Sequence, residues 1–332
     1  MKYSVFPKSG RELSRLGFGA MGFAGWFGDQ PEQDYISALL AALEQGVNVI
    51  DTARAYGDSE RIVGKTLKQW TGDAPFLATK IEALGPNSQW GWPTTVEVSF
   101  PRGQVRASCE KSLRELGVDH IDLMQLHMYW PTWGIAGYWM DELQALKDEG
   151  KVGYVGISVP DHRSDMVLPI VQSGLIDAVQ TIVNIFDPSA LEALVPICQE
   201  HDVAVLARCI LDEGGLTGFL TDSTQFQHGD FRYAYFDEIV PRSAYIKKVD
   251  ALREFVPQYA SSLAALAIKY AIHHPGITSA LTSMHVREYA DMNIAAVDED
   301  PLPEDVFYRL FTRHRFTKNF SYVKHWGLEG TR

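Results

Sequence analysis

The chain has 332 residues, of which 46% are hydrophobic and 11% are aromatic. This composition is typical of a globular protein and argues against a collagen-like, low-complexity or disordered chain. Acidic residues outnumber basic ones, with 42 Asp and Glu against 30 Lys and Arg, which gives a formal net charge of −12. Because a field of that sign repels phosphate backbones, we expect no nucleic-acid partner.

Two further features bear on the class of protein. The chain has no run of about 18 apolar residues, and its opening, MKYSVFPKSGREL, lacks the apolar stretch of a signal peptide. The three cysteines, Cys109, Cys198 and Cys209, are widely spaced and fit neither a disulfide framework nor a metal-ligand pattern. We therefore expect a cytoplasmic protein with reduced thiols, no membrane span and no metal.

The predicted elements alternate between short apolar runs and amphipathic stretches. The opening KYSVFPKSGRELSRL predicts a β-hairpin around Pro-Lys-Ser-Gly. Strands are then predicted over 16–19, 47–51, 75–80, 120–127, 152–158, 177–184, 203–209 and 276–281. Helices are predicted over 33–45, 59–70, 102–116, a stretch that ends at Glu149, 165–174, 189–201, 243–257, 261–274 and 286–297.

Eight strand–helix units in one chain predict an α/β fold, a closed (β/α)8 barrel with a long loop after the seventh strand. Continuous apolar strands favour a parallel sheet whose outer face is covered by helices. The alternative is an open, doubly wound sheet, which needs a Gly-rich phosphate turn after its first strand. The first turn, GFGAMGFAG, lacks that spacing, so the barrel is favoured. No linker divides the sequence, and we expect residues 1–332 to form one domain.

Polar side chains gather where three neighbouring strands of the predicted barrel end. The second strand ends in Asp51, with Tyr56 five residues further on. The third strand ends in Lys80 and the fourth in His127. Each residue alone is as consistent with a structural role, but the carboxyl ends of barrel strands share one rim.

The four residue types together suit the reduction of a carbonyl. A phenol is a weak acid, and an ammonium group beside it lowers its pKa. Tyr56 could protonate the carbonyl oxygen while His127 donates a hydrogen bond to it. Lys80, held in place by Asp51, would support Tyr56.

The segments NVIDTARAYGDSERIVGKTL and SLRELGVDHIDLMQLH, together with the strand of Lys80 and the later Gly-rich loop, resemble the aldo-keto reductases. The resemblance covers residues 18–293, nearly the whole chain. It implies a barrel oxidoreductase in which the four polar residues form the catalytic tetrad, with Tyr56 as general acid and base. It also implies a nicotinamide dinucleotide cofactor, usually NADPH, that binds without a Rossmann fold.

The same resemblance indicates how the nicotinamide would be held. Where the family commonly has Gly-x-Ser-Asn after the fifth strand, this chain has GISVP, so Ser158 matches and Val159 replaces the Asn. Ser158 and Gln180 would then hold the carboxamide.

A second departure from the family pattern is Arg208, which stands where the family often has an aromatic residue that stacks on the nicotinamide. A guanidinium is planar and can stack as well. Its charge would favour the reduced cofactor over the positively charged oxidised form. The alternative for Arg208 is a salt bridge with Asp212 or Glu213.

The loop ILDEGGLTGFL matches the family segment that closes over the pyrophosphate. At the adenosine end, the family's usual 2′-phosphate positions fall on Ser283 and Tyr289, neither of which is a cation. His285 and Arg287 are the nearby cations, so NADP(H) is favoured and NAD(H) remains possible. The expected cofactor contacts are Ala20, Met21, Asp51, Ser158, Gln180, Arg208, Leu211, Gly215, Ser283, His285, Arg287, Tyr289 and Asn293.

Aromatic residues are frequent in the loops that follow the first, third and fourth strands. Because such loops line the mouth of a barrel site, we expect an apolar wall that accepts aromatic aldehydes, flat ketones or the apolar faces of sugars. The long connection over 81–100 is itself typical of a functional loop. The expected substrate contacts are Trp26, Trp90, Trp92, Tyr129 and Trp130.

The sequence therefore predicts an NAD(P)H-dependent reductase of aldehydes or ketones. Two alternatives stay open: a sugar or alcohol dehydrogenase that uses the same residues for oxidation, and a cofactor-sensing regulatory barrel with little turnover. The C-terminal FTRHRFTKNFSYVKHW is locally basic, and we expect it to pack on the barrel rather than bind nucleic acid. The sequence indicates no particular oligomeric state.

Overall fold

A computed structural model describes residues 1–85, 94–227, 230–237 and 241–316. Eight parallel strands close into a barrel, and a separate antiparallel pair, β1 and β2, precedes them. The strands are β1 (Tyr3–Val5), β2 (Glu12–Ser14), β3 (Leu16–Gly19), β4 (Val49–Asp51), β5 (Phe76–Ile81), β6 (Ile121–Leu126), β7 (Val152–Ser158), β8 (Ala178–Ile182), β9 (Ala204–Arg208) and β10 (Ser279–Ser283). The barrel runs from β3 to β10 in sequence order, and β10 pairs with β3 to close it.

Helices follow the barrel strands and cover the outer face of the sheet. They are α1 (Glu32–Glu44), α2 (Ser59–Leu67), α3 (Val96–Ser99), α4 (Gln104–Leu116), α5 (Tyr138–Asp148), α6 (Leu168–Gln172), α7 (Leu194–Glu200), α8 (Arg232–Asp237), α9 (Arg242–Asp250), α10 (Leu263–His273), α11 (Arg287–Asp298) and α12 (Glu304–Arg313). Short 3-10 helices lie at Ala20–Ala24, Pro131–Trp133, Ser164–Val167, Ser189–Leu191, Gly215–Thr217 and Ala251–Phe255.

The closed parallel barrel confirms the predicted fold class and excludes the doubly wound alternative. Its strands are largely buried on both faces, because helices cover the outside and packed side chains fill the inside. The predicted hairpin is also present, with Tyr3 opposite Ser14. Helices α3, α8 and α12 were not predicted.

The N-terminal hairpin closes one end of the barrel. Phe6 and Leu13 are fully buried and pack in one cluster with Val49 and Phe76, which lie at the amino-terminal part of β4 and β5. The rings of Phe6 and Phe76 lie 5.2 Å apart, centroid to centroid. Because this end is plugged by apolar side chains, the opposite rim, where the strands end, is left for a functional site.

The described residues bear on two of the expected absences. Among the described helices, none combines the length and the apolar character that a membrane span requires. In the same part of the chain, no group of three or more His, Cys, Asp or Glu side chains is placed to hold a metal ion.

Candidate active site

Three neighbouring strands bring Asp51, Lys80 and His127 to one rim of the barrel. Asp51 is the last residue of β4, Lys80 lies next to the end of β5, and His127 directly follows β6. The Nζ of Lys80 donates to Oδ1 of Asp51 at 2.5 Å and to the carbonyl oxygen of Thr52 at 2.8 Å. Lys80 is fully buried, so its charge is balanced inside the protein rather than by water.

Tyr56 joins these residues from the loop between β4 and α2. Its ring lies 5.6 Å from the imidazole of His127, centroid to centroid, at an interplanar angle of 89°. The Nζ of Lys80 lies 5.0 Å from the centroid of the same ring. The structure therefore brings together the four polar residues that the sequence singled out.

Burial dominates the electrostatics of this cluster. Burial raises the pKa of Tyr56 well above its ordinary value, and the charge of Asp51 raises it further while Arg208 opposes them. This differs from the expectation that Lys80 lowers the pKa of the phenol. Burial likewise lowers the pKa of His127 well below its usual range, helped by the charges of Lys80 and Arg208. Tyr56 is therefore a neutral phenol and His127 a neutral imidazole at neutral pH.

Two buried glutamines hold the second oxygen of Asp51. The Nε2 of Gln180 donates to Oδ2 of Asp51 at 2.8 Å, and the Nε2 of Gln125 lies 3.4 Å from the same oxygen. Gln125 was not among the predicted site residues. The two-residue period of β6 could have revealed it, because a residue two positions before His127 points to the same face of the strand.

Ser158 and Gln180 lie side by side at the ends of β7 and β8, where the register pairs them. Both are buried at the rim, and their expected role in holding a carboxamide stays a prediction. In the structure, the side-chain nitrogen of Gln180 is engaged with Asp51.

Arg208, at the end of β9, reaches across the rim towards the end of β7. Its Nη2 donates to the carbonyl oxygen of Val159 at 3.0 Å and to Oδ1 of Asp161 at 2.5 Å. Arg208 therefore does form a salt bridge, but with Asp161 rather than with Asp212 or Glu213, which the alternative to stacking had named. Burial opposes the charged form of Arg208, but the carboxylate of Asp161 outweighs it and raises the pKa of the guanidinium.

The segment after β9 turns through several residues with left-handed backbone. Cys209, Asp212 and Glu213 have positive φ angles of 52°, 47° and 56°. In turns of this kind, successive N–H groups can point to one side and bind an anion. Here the N–H groups of Asp212 and Gly215 already donate to the carbonyl oxygens of Cys209 and Asp212, at 2.9 Å and 3.0 Å. At Gly215 a Cβ atom would lie only 2.0 Å from the hydroxyl of Tyr245, so this close approach requires glycine. Leu211, the first residue of the expected pyrophosphate contact, lies within this turn.

At the expected adenosine end, one of the two cations that the sequence indicated is neutral and the other is paired with a carboxylate. Burial lowers the pKa of His285 to about 4, and its Nδ1 shares a hydrogen bond of 2.8 Å with Oγ of Ser283. Arg287 is exposed and pairs with Asp291 at 3.2 Å. Tyr289 is exposed as well, with its ring edge-on to His285.

Three further expected cofactor contacts lie on a 3-10 helix at the rim and on α11. Ala20 and Met21 begin the 3-10 helix after β3, and the carbonyl oxygen of Ala20 accepts a hydrogen bond of 2.9 Å from Oγ of Ser59. Asn293 is buried on α11.

Among the described residues, the expected substrate contacts divide between the rim and the core. Trp26 lies edge-on to Tyr56, at 5.9 Å between ring centroids. Tyr129 is in the core instead, with 1% of its surface exposed and its hydroxyl bonded to the carbonyl oxygen of Gly134. Trp130 is half-buried against the core. The expected contacts Trp90 and Trp92 lie outside the described residues.

The sequence of the chain matches the model of the Aldo/keto reductase family over residues 15–311. It is 30% identical over 287 residues to the aldo-keto reductase YhdN of Bacillus subtilis, a match that covers 85% of this chain and 84% of that protein. It is 28% identical over 302 residues to the NADH-specific methylglyoxal reductase of Escherichia coli, with 86% of this chain and 90% of the relative covered.

Two solved structures have the same architecture. The holo form of an aldo-keto reductase from Bacillus halodurans superposes with a TM-score of 0.74 at 25% identity, over 97% of this chain and 99% of that one. The glycerol dehydrogenase of Gluconobacter oxydans superposes with a TM-score of 0.76 at 25% identity, over 95% and 96% of the two chains. The chain therefore belongs to the aldo-keto reductase family and is an NAD(P)-dependent oxidoreductase.

Proposed function

We propose that the protein reduces an aldehyde or ketone with NAD(P)H, and that Tyr56 donates the proton to the carbonyl oxygen. The observation that carries this proposal is the convergence of Tyr56, His127 and the Lys80–Asp51 pair on one rim of the barrel. The two rings are in edge-to-face contact, 5.6 Å between centroids, and we place the carbonyl oxygen at the rim beside both of them, where the phenol O–H and an imidazole N–H would donate to it.

The residues of the rim fit a nicotinamide dinucleotide. Ser158 and Gln180 would hold the carboxamide, Arg208 would lie against the nicotinamide ring, and the left-handed turn that begins at Cys209 would receive the pyrophosphate. When bound, the reduced nicotinamide supplies the hydride that the carbonyl carbon receives. The remaining steps fall to side chains of this chain.

The protonation states support reduction more than oxidation. As hydride adds to the carbon, negative charge develops on the oxygen, and Tyr56 transfers its proton there while His127 stabilises the oxygen through an N–H donor. Because the pKa of Tyr56 is raised, the phenol holds its proton at neutral pH, which is the form that reduction needs. Oxidation of an alcohol needs the phenolate instead. The charge of Arg208 also favours the reduced cofactor, which carries no positive charge on its ring.

The choice between NADPH and NADH rests on the adenosine end. The expectation of NADPH needs a cation there, but His285 is neutral and Arg287 is paired with Asp291. Arg232, whose charge also acts on His285, is paired with Asp230. We therefore keep NADPH as the expected cofactor but expect its affinity to exceed that of NADH by less than about tenfold, or about 1.4 kcal/mol.

The choice of substrates to test rests on the described part of the rim and on the similar proteins. Trp26 supplies one apolar face, while Tyr129 is withdrawn into the core. Two of the similar proteins are named for methylglyoxal and glycerol, which are three-carbon compounds with oxygen on adjacent carbons. We therefore place short carbonyl compounds with a neighbouring oxygen beside aromatic aldehydes as the first substrates to test.

The test is a substitution of the proton donor. We expect Tyr56→Phe to lower kcat by about 10²–10⁴-fold with methylglyoxal, glyceraldehyde or benzaldehyde, because the general acid is lost while the ring is kept. The dissociation constant for NADPH, followed by protein fluorescence, should stay unchanged. Absorbance at 340 nm reports the rate, and unchanged turnover in this variant would show that Tyr56 is not the donor.

A second candidate is the oxidation of a polyol, which the similarity to a glycerol dehydrogenase favours. It makes a distinct prediction about pH. Because the phenolate of Tyr56 would be the base, the oxidation rate should still rise with pH well above neutrality. Glycerol with NAD⁺ or NADP⁺, assayed across that range, separates it from the reductase.

A further inference from the structure

We propose that Arg54 and Glu60 form a clasp that positions Tyr56 for proton transfer. The two residues bracket Tyr56 in the loop between β4 and α2, and their side chains form an ion pair. Only 7% of the Arg54 side chain and 1% of the Glu60 side chain are exposed. This proposal rests on the proposed function of Tyr56 and adds two positioning residues to it.

The clasp closes a turn whose backbone is already hydrogen-bonded. The N–H of Tyr56 donates to the carbonyl oxygen of Ala53 at 3.1 Å, and the N–H of Ser59 donates to the carbonyl oxygen of Tyr56 at 3.0 Å. These bonds set the direction of the turn, and the ion pair joins Arg54, before Tyr56, to Glu60, after it. An ion pair across a short loop restricts the conformations open to the residue between its ends.

Glu60 also ties the clasp to the strand that carries Lys80. The Oγ1 of Thr79 donates to Oε1 of Glu60 at 2.7 Å, while the other carboxylate oxygen of Glu60 meets Arg54. Thr79 precedes Lys80 on β5, so their side chains point to opposite faces of the strand. The carboxylate therefore lies on the outer side of β5 and fixes the Tyr56 loop relative to the Lys80 strand.

Because the pair is buried, we assign it a role in positioning the loop rather than in stabilising the surface of the protein. Exposed pairs contribute little, and buried pairs are costly to desolvate unless their remaining donors and acceptors are used. Both carboxylate oxygens of Glu60 are used. Among the described residues, the buried Nε of Arg54 has no acceptor, so the guanidinium relies on the carboxylate of Glu60 to balance its charge.

The charge of Glu60 acts on Lys80 as well. Burial lowers the pKa of Lys80, Asp51 raises it, Arg208 lowers it, and Glu60 raises it again. Tyr56 and His127 are the other titratable groups near the ammonium. Removing the charge of Glu60 should therefore let Lys80 lose its proton at a lower pH.

The test compares Glu60→Gln, which keeps the hydrogen bond from Thr79, with Arg54→Met and the double variant. We expect each single substitution to lower kcat by about tenfold, and the double variant to fall no further, because both break one contact. The dissociation constant for NADPH should stay within about twofold of wild type. Arg61→Met, which removes the two solvent-accessible ion pairs that Arg61 of the same helix makes with Glu32 and Asp58, is the matched control and should keep wild-type kcat.

Three further measurements separate positioning from general destabilisation. Hydrogen exchange should accelerate in a peptide covering 52–60 and stay unchanged in peptides from the barrel strands. The alkaline limb of the pH–rate profile should move to lower pH in Glu60→Gln and stay in place in Arg61→Met. Arg54→Lys should restore part of the rate lost in Arg54→Met.

Three outcomes would overturn the clasp: wild-type kcat in both single variants, additive losses in the double variant, or exchange that accelerates over the whole chain. Tyr56→Phe, measured in parallel, distinguishes this failure from failure of the proposed function. If Tyr56→Phe keeps its turnover, the proposed role of Tyr56 is wrong. If it loses turnover while Glu60→Gln does not, only the clasp is wrong. The hydrogen-exchange measurement does not depend on the reaction, so it tests the clasp even if the proposed role of Tyr56 is wrong.

Discussion

The reaction end and the adenosine end of the proposed cofactor site use charged residues in opposite ways. At the reaction end, Lys80 and Asp51 are buried and bonded to each other. At the adenosine end, Arg287 and Asp291 form a pair of which about half of each side chain is exposed. Because water and salt screen the exposed pair and not the buried one, the two opposite charges attract each other much more strongly at the reaction end. The composition of the sequence does not show this difference, whereas the burial of the side chains in the structure does.

The largest expected effect comes from breaking the buried pair on one side only. Lys80→Met leaves the carboxylate of Asp51 buried without its ammonium, and we expect a loss of about 3–5 kcal/mol in the free energy of unfolding. Lys80→Met combined with Asp51→Asn should recover part of this loss, because no unpaired charge remains. Denaturation by urea measures both.

The matched control is Lys65→Met, which removes an exposed pair with Glu32 and should cost less than about 1 kcal/mol. Equal losses for Lys80→Met and Lys65→Met would contradict the comparison. So would a double variant that is less stable than Lys80→Met alone.

A smaller effect is expected at Arg208, where the buried charge lies beside the proposed nicotinamide position. Replacing it in Arg208→Leu should lower the ratio of the dissociation constants for NADP⁺ and NADPH by about tenfold, or about 1.4 kcal/mol. Asp161→Asn should shift the ratio in the opposite direction, because the guanidinium loses the carboxylate that balances it. Fluorescence titration with each cofactor form gives the ratio. Shifts of the same sign in both variants would mean that Arg208 acts through structure rather than charge.

At the adenosine end the expected effect is smaller still. Arg287→Ala should weaken NADPH binding by about threefold or less, since Arg287 is exposed and already paired with Asp291. The dissociation constant for NADH serves as the internal control and should not change, because NADH lacks the 2′-phosphate. A loss of more than about tenfold for NADPH alone would show that Arg287 leaves Asp291 and carries the preference.

The sequence was most informative for the polar residues that lie at the ends of the barrel strands. Asp51, Lys80 and His127 end or follow apolar runs, so their common rim could be predicted from the period of the strands and the closure of the barrel. The chemistry of a phenol suggested proton donation by Tyr56, which lies on a loop, and the family resemblance implied the same role. The convergence of these four residues could therefore be predicted from the sequence alone, whereas Gln125 beside Asp51 was missed and the catalytic roles stay predictions.

Partners across the barrel could not be predicted in the same way. The sequence suggested Asp212 or Glu213 for Arg208, because they are near it in the chain, but the left-handed turn directs them elsewhere. Asp212 accepts hydrogen bonds from Tyr235 and Tyr245, and Glu213 accepts one from Cys209. The actual partner, Asp161, lies 47 residues before Arg208 on another loop. No local pattern encodes a contact of that kind.

The smallest expected effect is a pH profile that stays flat where many enzymes change. Reduction needs Tyr56 protonated and His127 neutral, and burial moves the pKa of the first up and of the second down. Neither group should then titrate between about pH 6 and about pH 8, because their ordinary values are near 10 and 6.5. We expect kcat for reduction to vary by less than about twofold over this range. A fall towards acid pH that follows the ordinary pKa of a histidine would show that His127 is accessible to water at the reaction end.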